Sequence, residues 1–322
     1  MPAPDEIKLR IAAAGICGTD LHILDGNWPC MVPVVVGHEF CGTVVEVGSR
    51  VTTLKTGDRV LGSNPVRTCG ACLHCRHGNS FMCPARVSAG YMVDGAFAEY
   101  FCIPALQCHL LPSQVSFRQA ALGEPLAVAV RAVLERSMVR PGDTVLVSGP
   151  GCVGLLTAQL AQMSCARVIV AGIDRDERRL AFARELGVYR TVNISHEDLV
   201  AAIRDCTKGE GVDIAYECAG VPASAALCLD ATRKEGRVVL VGIPSASVQM
   251  ELHKITLKEL QVVGSYGYVW KSWQRAIDLL ARHSVKTAEL ISHEFPLRHF
   301  DSAFMAARNG SAVKVIFSPE MA

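Results

Sequence analysis

The chain has 322 residues, half of them hydrophobic, and its formal net charge is +1. This length favours two domains, and the apolar fraction is large enough for sizeable cores. A charge so close to zero gives no reason to expect nucleic acid or an anionic membrane surface as a partner. Because only 6% of the residues are aromatic, stacking platforms for bases are not expected either.

The fourteen cysteines raise the question of disulfides, and the start of the sequence argues against them. Residues Met1–Glu6 do not combine a basic region with an apolar stretch, so we do not expect a signal peptide. The longer apolar runs, such as Val238–Ile243, are too short to cross a bilayer. We therefore expect a cytoplasmic protein whose clustered cysteines bind metal.

The first part of the chain, to residue 121, is rich in valine, glycine and proline. Val32–Gly37, Gly42–Gly48 and Gly57–Gly62 are short apolar segments bounded by turn residues, which predicts strands. We expect a partly open β-barrel in this region.

Two strand-like segments of this region are followed by residues that can bind zinc. Cys17 follows a strand-like segment near the start of the sequence, and His38 with Glu39 follows Val32–Gly37. Thiolate and imidazole suit zinc, and Glu39 and Glu124 are both candidates for a third ligand. Catalytic zinc keeps an open position beside three protein ligands. A lone histidine or cysteine is more often structural, so this interpretation depends on the other motifs in the chain.

A second group of zinc ligands lies further along the chain. Its members are Cys69, Cys72, Cys75 and Cys83. Four thiolates at this spacing can surround one zinc ion and leave no position open, which predicts a structural site.

From residue 122 onward, strand and helix patterns alternate. A helix is predicted over Glu124–Met138. Strands are predicted at Thr144–Ser148, Arg167–Asp174, Arg190–Asn193, Val212–Cys218, Arg237–Gly242 and Leu260–Ser265. Four helices between them predict a doubly wound parallel sheet. The tail is predicted to return to the first domain, which gives domains of 1–121 with 266–322 and of 122–265.

The sequence after the strand Thr144–Ser148 is a dinucleotide-binding pattern. It consists of Gly149, Gly151, Cys152, Val153 and Gly154, where a strand ends and a helix begins. The glycines allow a tight turn and close approach of a pyrophosphate to the helix N-terminus. Asp174 ends the next strand, where a carboxylate binds ribose hydroxyls and favours NAD over NADP, although Arg175 follows it. The alternative is a glycine turn without a ligand.

These motifs, in this order, resemble the zinc-containing medium-chain alcohol dehydrogenases. They are Gly15–His22, Gly37–Glu39, the four cysteines, Gly123–Leu126 and the glycine loop. Glu-Pro-Leu at 124–126 is typical of the sorbitol (L-iditol) and L-threonine dehydrogenase branch. The resemblance covers essentially the whole chain and implies a GroES-like β-barrel catalytic domain followed by a Rossmann domain.

The resemblance also implies roles for individual residues. Cys17, His38 and Glu39 surround the catalytic zinc, and Glu124 is a ligand or holds a zinc-bound water. Thr19 accepts the alcohol proton and His22 passes it to solvent, while Asp20 orients the His38 ring. The expected reaction is hydride transfer from a secondary alcohol of polyol type to NAD, giving a ketone, in a dimer or tetramer.

The chain also departs from the family pattern. The two strands that normally precede residues 4–14 are missing from the sequence, so we expect unsatisfied strand edges. Ile23 stands where sorbitol dehydrogenases carry a tyrosine, and Gly267–Tyr268 stands where they carry an Arg-Tyr pair. Alternatives therefore stay open: an L-threonine or butanediol dehydrogenase, or a truncated relative that binds NAD or zinc without turnover. A zinc ribbon for nucleic acid is a third class, which the near-zero charge disfavours.

Overall fold

The computed structural model describes residues 1–244, 247–310 and 312–318. The chain divides into two compact units, one formed by Met1–Ala127 with Tyr268–Ala322 and the other by Val128–Gly267. Among the described residues, no helix combines the length and the apolar character that crossing a membrane requires.

Strands and helices are numbered here in chain order. The first part of the first unit contains β1 (Glu6–Gly15), α1 (Gly18–Leu24), β2 (Glu39–Val47), β3 (Arg59–Gly62), β4 (Pro65–Arg67), α2 (Leu73–Arg76), β5 (Val87–Ser88), β6 (Tyr100–Pro104), β7 (Cys108–Leu110) and α3 (Phe117–Ala120). The next helix, α4 (Gly123–Val130), begins in the first unit and ends in the second. The second unit contains β8 (Thr144–Ser148), α5 (Cys152–Met163), β9 (Arg167–Gly172), α6 (Glu177–Glu185), β10 (Arg190–Asn193), α7 (Leu199–Cys206), β11 (Val212–Glu217), α8 (Pro222–Ala231), β12 (Thr232–Leu240), α9 (Leu252–Lys258) and β13 (Gln261–Gly264). The first unit ends with α10 (Trp270–Ala281), β14 (Ile291–Pro296), α11 (Phe300–Arg308) and β15 (Lys314–Ser318).

The first unit is organised around β1. Its sheet has the order β14-β15-β1-β2-β3-β7, and β6 also pairs with β1. β2 lies along one side of β1, while β6 and β15 share the other side. β1 is therefore not an edge strand, and the expectation of unsatisfied edges is wrong for this strand. Buried side chains of this sheet, including Ile7, Leu9 and Phe317, belong to one hydrophobic core.

One predicted strand of the first unit is wrong. Val32–Gly37 is not a strand, although Gly42–Gly48 and Gly57–Gly62 largely coincide with β2 and β3. The segment bonds instead to a loop at residues 94–97. The Val35 N–H donates to Asp94 Oδ1 at 2.8 Å, and the Phe97 N–H donates to the Val36 carbonyl at 3.0 Å. The Asp94 side chain and the irregular backbone of the loop satisfy the hydrogen-bonding groups of this segment, so no strand ladder forms.

The second unit is the predicted doubly wound sheet. Its six strands are parallel and have the order β10-β9-β8-β11-β12-β13, with the first strand of the unit, β8, in the middle. Leu146, Ile169 and Val238 lie in the core that the sheet shares with its helices. The helix predicted over Glu124–Met138 is shorter, since α4 continues as a π-helical turn over Arg131–Glu135 and then ends.

Candidate zinc and dinucleotide sites

The pairing of β1 with β2 brings the predicted catalytic zinc ligands together. Gly15, the last residue of β1, pairs with Glu39, the first residue of β2. Cys17 lies just beyond the end of β1, and His38 lies just before the start of β2. Antiparallel register therefore places Cys17 beside His38 and Glu39, although twenty residues of other structure separate them in sequence.

Cys17, His38 and Glu39 form a compact group of metal-binding atoms. One potential ligand atom from each residue lies within 4.8 Å of the other two. His38 is 5% exposed and Glu39 is 1% exposed. A thiol, an imidazole and a carboxylate are the donor set that zinc takes in proteins. Because these three donors lie close together and two of them are buried, the residues fit a zinc ion.

Asp20 fixes both sides of this group. Its Oδ1 lies 3.3 Å from His38 Nδ1, and its Oδ2 accepts a hydrogen bond from the Cys17 N–H at 2.8 Å. Asp20 itself is fully buried in α1. With Nδ1 facing this carboxylate, Nε2 is the ring nitrogen that remains to bind a metal, which is the common arrangement for a ligating histidine.

The site carries several interacting charges. Burial lowers the pKa of His38, but the charges of Asp20 and Cys17 raise it more, so the net pKa lies well above the ordinary value of 6.5. Burial raises the pKa of Glu124 to about 7, and the nearby carboxylate of Glu39 also raises it. Glu124 therefore lies in the electrostatic field of the group, at the start of α4, and holds a proton more readily than an exposed glutamate.

Lys314 belongs to this site and is absent from the sequence-based prediction. Its Nζ forms an ion pair with Glu39 Oε2 and donates to the Ile16 carbonyl at 2.8 Å. The side chain is 3% exposed. The signal that could have found it is a single lysine in the apolar strand β15, because a lysine is almost never buried without a partner.

Gly15 is required by the packing of Glu39 and Lys314. A Cβ at residue 15 would lie 2.3 Å from Glu39 Oε2 and 2.8 Å from Lys314 Cε. Gly37 has a different constraint, because its φ of +98° favours glycine and a Cβ would lie 2.4 Å from the Phe97 ring. Both positions therefore require glycine, because a side chain at residue 15 would collide with Glu39 and Lys314 and one at residue 37 would collide with Phe97.

Thr19 and His22 lie on α1, three residues apart and on the same helix face. Both side chains are partly buried. The structure places them on α1, which begins directly after Cys17. Their predicted roles in proton transfer stay predictions.

The four remaining cysteines converge as the spacing predicts. Potential ligand atoms of Cys69, Cys72, Cys75 and Cys83 lie within 4.8 Å of one another. The Cys69 sulfur is 4.0 Å from that of Cys75 and 3.6 Å from that of Cys83. Four sulfurs bound to one zinc at about 2.3 Å stand about 3.8 Å apart in a tetrahedron. The group therefore fits a closed zinc site.

Backbone N–H groups donate hydrogen bonds to two sulfurs of this cluster. The Cys72 N–H donates to Cys69 Sγ at 3.3 Å, and the Cys69 N–H donates to Cys83 Sγ at 3.4 Å. Hydrogen bonds from the backbone of Ala71 and Cys72 lower the pKa of Cys69 to about 6. Thiolate is the form that binds zinc, so these hydrogen bonds favour metal binding at Cys69, while desolvation raises the pKa of Cys75 to about 11.

The glycine loop has the geometry of a dinucleotide site. Gly149 has a φ of +101°, and Gly151 is the residue that precedes the first turn of the twelve-residue helix α5. A Cβ on Gly154 would lie 2.0 Å from the Gly149 carbonyl oxygen, so this glycine allows the helix to pack on the loop. The space next to Gly151 is open, with no heavy atom within 4 Å of a Cβ built there. Phosphates can therefore approach the N–H groups of Cys152 and Val153.

Asp174 follows β9 and is held by the end of β10. Asn193 Nδ2 donates to Asp174 Oδ1 at 3.0 Å, and His196 Nε2 lies 2.7 Å from the same oxygen. The side chain is 63% exposed, so it remains accessible to a ribose. Arg175 is exposed beside it. Asn193 and His196 were not predicted as site residues, because nothing local in the sequence connects them to Asp174.

Family models match both parts of the chain. Residues 3–113 match the alcohol dehydrogenase GroES-like domain, and residues 152–282 match the zinc-binding dehydrogenase domain. Three relatives are similar over nearly the whole chain. They are a sorbitol dehydrogenase of Halalkalibacterium halodurans (35% identity, 99% of this chain and 93% of the relative), a D-arabitol-phosphate dehydrogenase of Enterococcus avium (35%, 97% and 89%) and an L-threonine 3-dehydrogenase of Pseudoalteromonas atlantica (36%, 98% and 92%).

Solved structures share the whole fold. A zinc-binding dehydrogenase from Sinorhizobium meliloti bound to NADP is 34% identical, with a TM-score of 0.89 over 99% of this chain and 93% of that one. An alcohol dehydrogenase from Escherichia coli CFT073 complexed with NADH is 31% identical, with a TM-score of 0.90 and coverage of 99% and 93%. Zinc and NAD(H) are typical cofactors of these enzymes. With two matching family models and 35% identity to a relative over 319 residues, this chain belongs to the zinc-containing medium-chain alcohol dehydrogenases, in the branch of the sorbitol and L-threonine dehydrogenases, and is an oxidoreductase.

Proposed function

We propose that this chain oxidises a secondary alcohol of polyol type to a ketone, using a zinc ion at Cys17, His38 and Glu39 and NAD at the glycine loop. The observation that carries the proposal is the buried group of three zinc-binding side chains, whose atoms lie within 4.8 Å of one another. A closed structural site has four protein ligands, while a set of three leaves a position for substrate.

In this proposal, each residue of the site has a physical task. Zinc, when bound, acts as a Lewis acid that makes the substrate hydroxyl more acidic, and NAD accepts the hydride. Cys17 and His38 hold the metal, and Asp20 keeps the His38 ring in one orientation. Lys314 balances the charge of Glu39. Glu124, whose pKa is raised to about 7, can ligate the metal or hold a proton near it.

The proton path uses α1. Thr19 accepts the hydrogen bond of the substrate hydroxyl, and His22, one turn further along the helix, passes the proton toward solvent. A positioned histidine is a good proton carrier because its ordinary pKa is close to neutrality. On the cofactor side, the helix N-terminus behind Gly151 binds the pyrophosphate, and Asp174 binds the adenosine ribose.

Cellular location and assembly are further parts of the proposal. All fourteen cysteines lie in the described residues, and none of them forms a disulfide. Reduced cysteines are typical of a cytoplasmic protein, which supports that location. Assembly as a homo-oligomer rests on the family resemblance.

Two other substrate classes are alternatives. One is an amino alcohol such as L-threonine, because a relative in the same branch is an L-threonine 3-dehydrogenase. The other is a vicinal diol such as butanediol, because a similar solved structure is a butanediol dehydrogenase. A zinc- or NAD-binding protein without turnover is the alternative of a different class.

The test is an activity assay on zinc-loaded protein with metal analysis on the same sample. NADH formation is followed with polyols, butanediol and L-threonine, and about two zinc ions per chain are expected from the two sites. Cys17→Ser should lose one zinc ion and the activity, while Cys102→Ser, outside both groups, should keep both. An active Cys17→Ser variant with full zinc content would refute the assignment. Wild-type protein with two zinc ions and NAD bound, but without turnover on any alcohol, would favour the non-catalytic alternative.

A further inference from the structure

Glu217 is a buried carboxylate at the edge of the parallel sheet where the strands end. It is the last residue of β11, which pairs with β8, and it is almost completely buried. Glutamate is rarely buried without partners, so its hydrogen bonds show what it holds in place. Neither the two zinc groups nor the glycine loop includes this side chain.

The side chain of Glu217 binds the loop that follows β11. Its Oε1 accepts hydrogen bonds from the Ala219 N–H and the Gly220 N–H, both at 2.9 Å. A carboxylate that binds two successive N–H groups fixes the direction of the backbone between them. The loop lies against the glycine loop, since a Cβ on Gly149 would be 2.7 Å from the Ala219 nitrogen.

The main chain of Glu217 binds the loop that follows β12. Its carbonyl oxygen accepts from the Val241 N–H and the Gly242 N–H, both at 2.9 Å. The loops after β11 and β12 also contact each other, because a Cβ on Gly242 would lie 2.3 Å from the Gly220 nitrogen. One residue therefore holds two neighbouring loops at the carboxyl edge of the sheet.

The strand order indicates which part of a dinucleotide these two loops receive. In a doubly wound sheet, the cofactor lies across the carboxyl ends of the strands, where the strand order reverses. In this chain the order reverses at β8, which has β9 on one side and β11 on the other. The proposed ribose ligand Asp174 follows β9, and the proposed pyrophosphate loop follows β8. The nicotinamide half should therefore extend over the loops after β11 and β12.

Each of these loops carries an exposed apolar side chain. They are Val221 after β11 and Ile243 after β12. The two loops are close at this point, since a Cβ on Gly220 would lie 3.1 Å from the Ile243 carbonyl oxygen. Sites for small molecules combine apolar side chains with a few fixed backbone groups, and these loops offer both to an aromatic ring such as nicotinamide.

We propose that Glu217 is a positioning residue for the nicotinamide half of NAD, which acts by holding the loops after β11 and β12 in the arrangement that receives it. This inference rests on the proposed function and adds a residue to its cofactor site. The competing explanation is that Glu217 only stabilises the sheet. A purely structural glutamate would affect folding and would change the binding of all parts of the cofactor alike.

The experiment compares the binding of NAD with that of ADP, which has the adenosine and pyrophosphate parts and lacks the nicotinamide half. Titration calorimetry on the zinc-loaded protein gives both dissociation constants, and the melting temperature is measured for every variant. The variants are Glu217→Ala and Glu217→Gln. Asp213→Ala is the matched control, because Asp213 lies in the same strand and its carboxylate accepts from the Thr144 N–H at 2.7 Å, where β8 begins.

We expect Glu217→Ala to raise the Kd of NAD roughly 10- to 100-fold, which corresponds to the loss of hydrogen bonds to a charged acceptor. Its Kd for ADP should change by less than about threefold, because the glycine loop remains. Glu217→Gln should be intermediate, with a rise of about threefold or more for NAD, since a neutral amide oxygen accepts the same bonds more weakly. Asp213→Ala should lower the melting temperature and leave the ratio of the two constants unchanged.

Two results would overturn the inference, and they differ in what they say about the proposed function. If Glu217→Ala weakens NAD and ADP by the same factor, or weakens neither, Glu217 has no specific role for the nicotinamide half, while the proposed cofactor site stands. If the wild type binds neither NAD nor ADP, the proposed cofactor site fails, and this inference fails with it. If Glu217→Ala does not fold, Glu217→Gln decides, and a ratio of constants equal to that of the wild type contradicts the inference.

Discussion

The ammonium group of Lys314 is paired with the carboxylate of Glu39, and both side chains are almost completely buried, at 3% and 2% exposure. The lysine lies in the last strand and the glutamate begins the second one. An additional hydrogen bond from Lys314 to the Ile16 carbonyl fixes the ammonium. Each of these two buried charges depends on the other, because removal of one leaves the other buried without a counter-charge.

Lys314→Met should therefore destabilise the first unit and impair catalysis. Breaking a buried ion pair typically costs about 3–5 kcal/mol, and a free Glu39 carboxylate would disturb the metal ligands. Urea unfolding and NADH formation measure the two effects. Lys55→Met is the control, because Lys55 is exposed. The double variant Glu39→Gln with Lys314→Met should lose less stability than the sum of the single variants. Equal stability of Lys314→Met and wild type would show that the pair is dispensable.

Removal of one ligand of the cysteine cluster should affect stability more than chemistry. Cys72→Ser should bind one zinc ion fewer per chain and unfold at a lower temperature, because a closed zinc site contributes folding free energy. Cys165→Ser is the matched control, since Cys165 is exposed and belongs to neither group. Metal analysis and thermal unfolding measure the outcome. A Cys72→Ser variant with unchanged zinc content and melting temperature would contradict a structural zinc site.

Replacement of Asp174 should change the choice of cofactor. Asp174→Ala removes the carboxylate that Asn193 and His196 hold in place, while Arg175 remains beside it. Loss of repulsion toward a 2′-phosphate should raise kcat/KM for NADP relative to NAD by about tenfold or more. Steady-state kinetics with both cofactors provide the measurement, and Glu210→Ala, at an exposed position, is the control. An unchanged ratio would mean that Asp174 does not bind the ribose.

His109 provides a pH dependence that is independent of both zinc groups. It lies in β7, is 6% exposed and stacks on Trp273 with 4.8 Å between ring centres. Burial lowers its pKa from 6.5 to about 4. The unfolded chain therefore binds a proton below pH 6.5 that the folded chain does not bind. The stability that neutral His109 contributes is present above pH 6.5 and is lost as the pH falls toward 4.

This effect can be isolated by comparing the wild type with His109→Gln. The wild type should lose up to about 3 kcal/mol of unfolding free energy from this residue between pH 6.5 and pH 4, and the variant should lack this part of the decrease. Glutamine is chosen because it can still hydrogen-bond to Ser63, whose hydroxyl lies 3.4 Å from the His109 ring. Urea unfolding at several pH values measures the difference. Parallel pH profiles of the two proteins would show that His109 titrates normally.

Local patterns in the sequence were enough to predict the local geometry of two of the proposed sites. The glycine loop between β8 and α5 depends on neighbouring residues, because the turn, the phosphate approach and the helix start are all set within six positions. The four cysteines lie within a short loop, where spacing alone brings the sulfurs close. The alternation of strands and helices from residue 144 onward was likewise predicted correctly, since periodicity is a local property.

The proximity of the proposed catalytic zinc ligands could be seen only in the folded chain. Sequence offered Cys17, His38, Glu39 and Glu124 as ligands but could not decide which of them meet, and it did not include Lys314. Their proximity depends on the register of β1 with β2 and on β15 returning beside β1. Similarly, Val32–Gly37 has the composition of a strand but bonds to a loop sixty residues further along. The sequence alone thus determined the family, the sheet type and the local motifs, while tertiary structure decided which charges are buried together, because pairings between distant strands depend on packing throughout the barrel rather than on neighbouring residues.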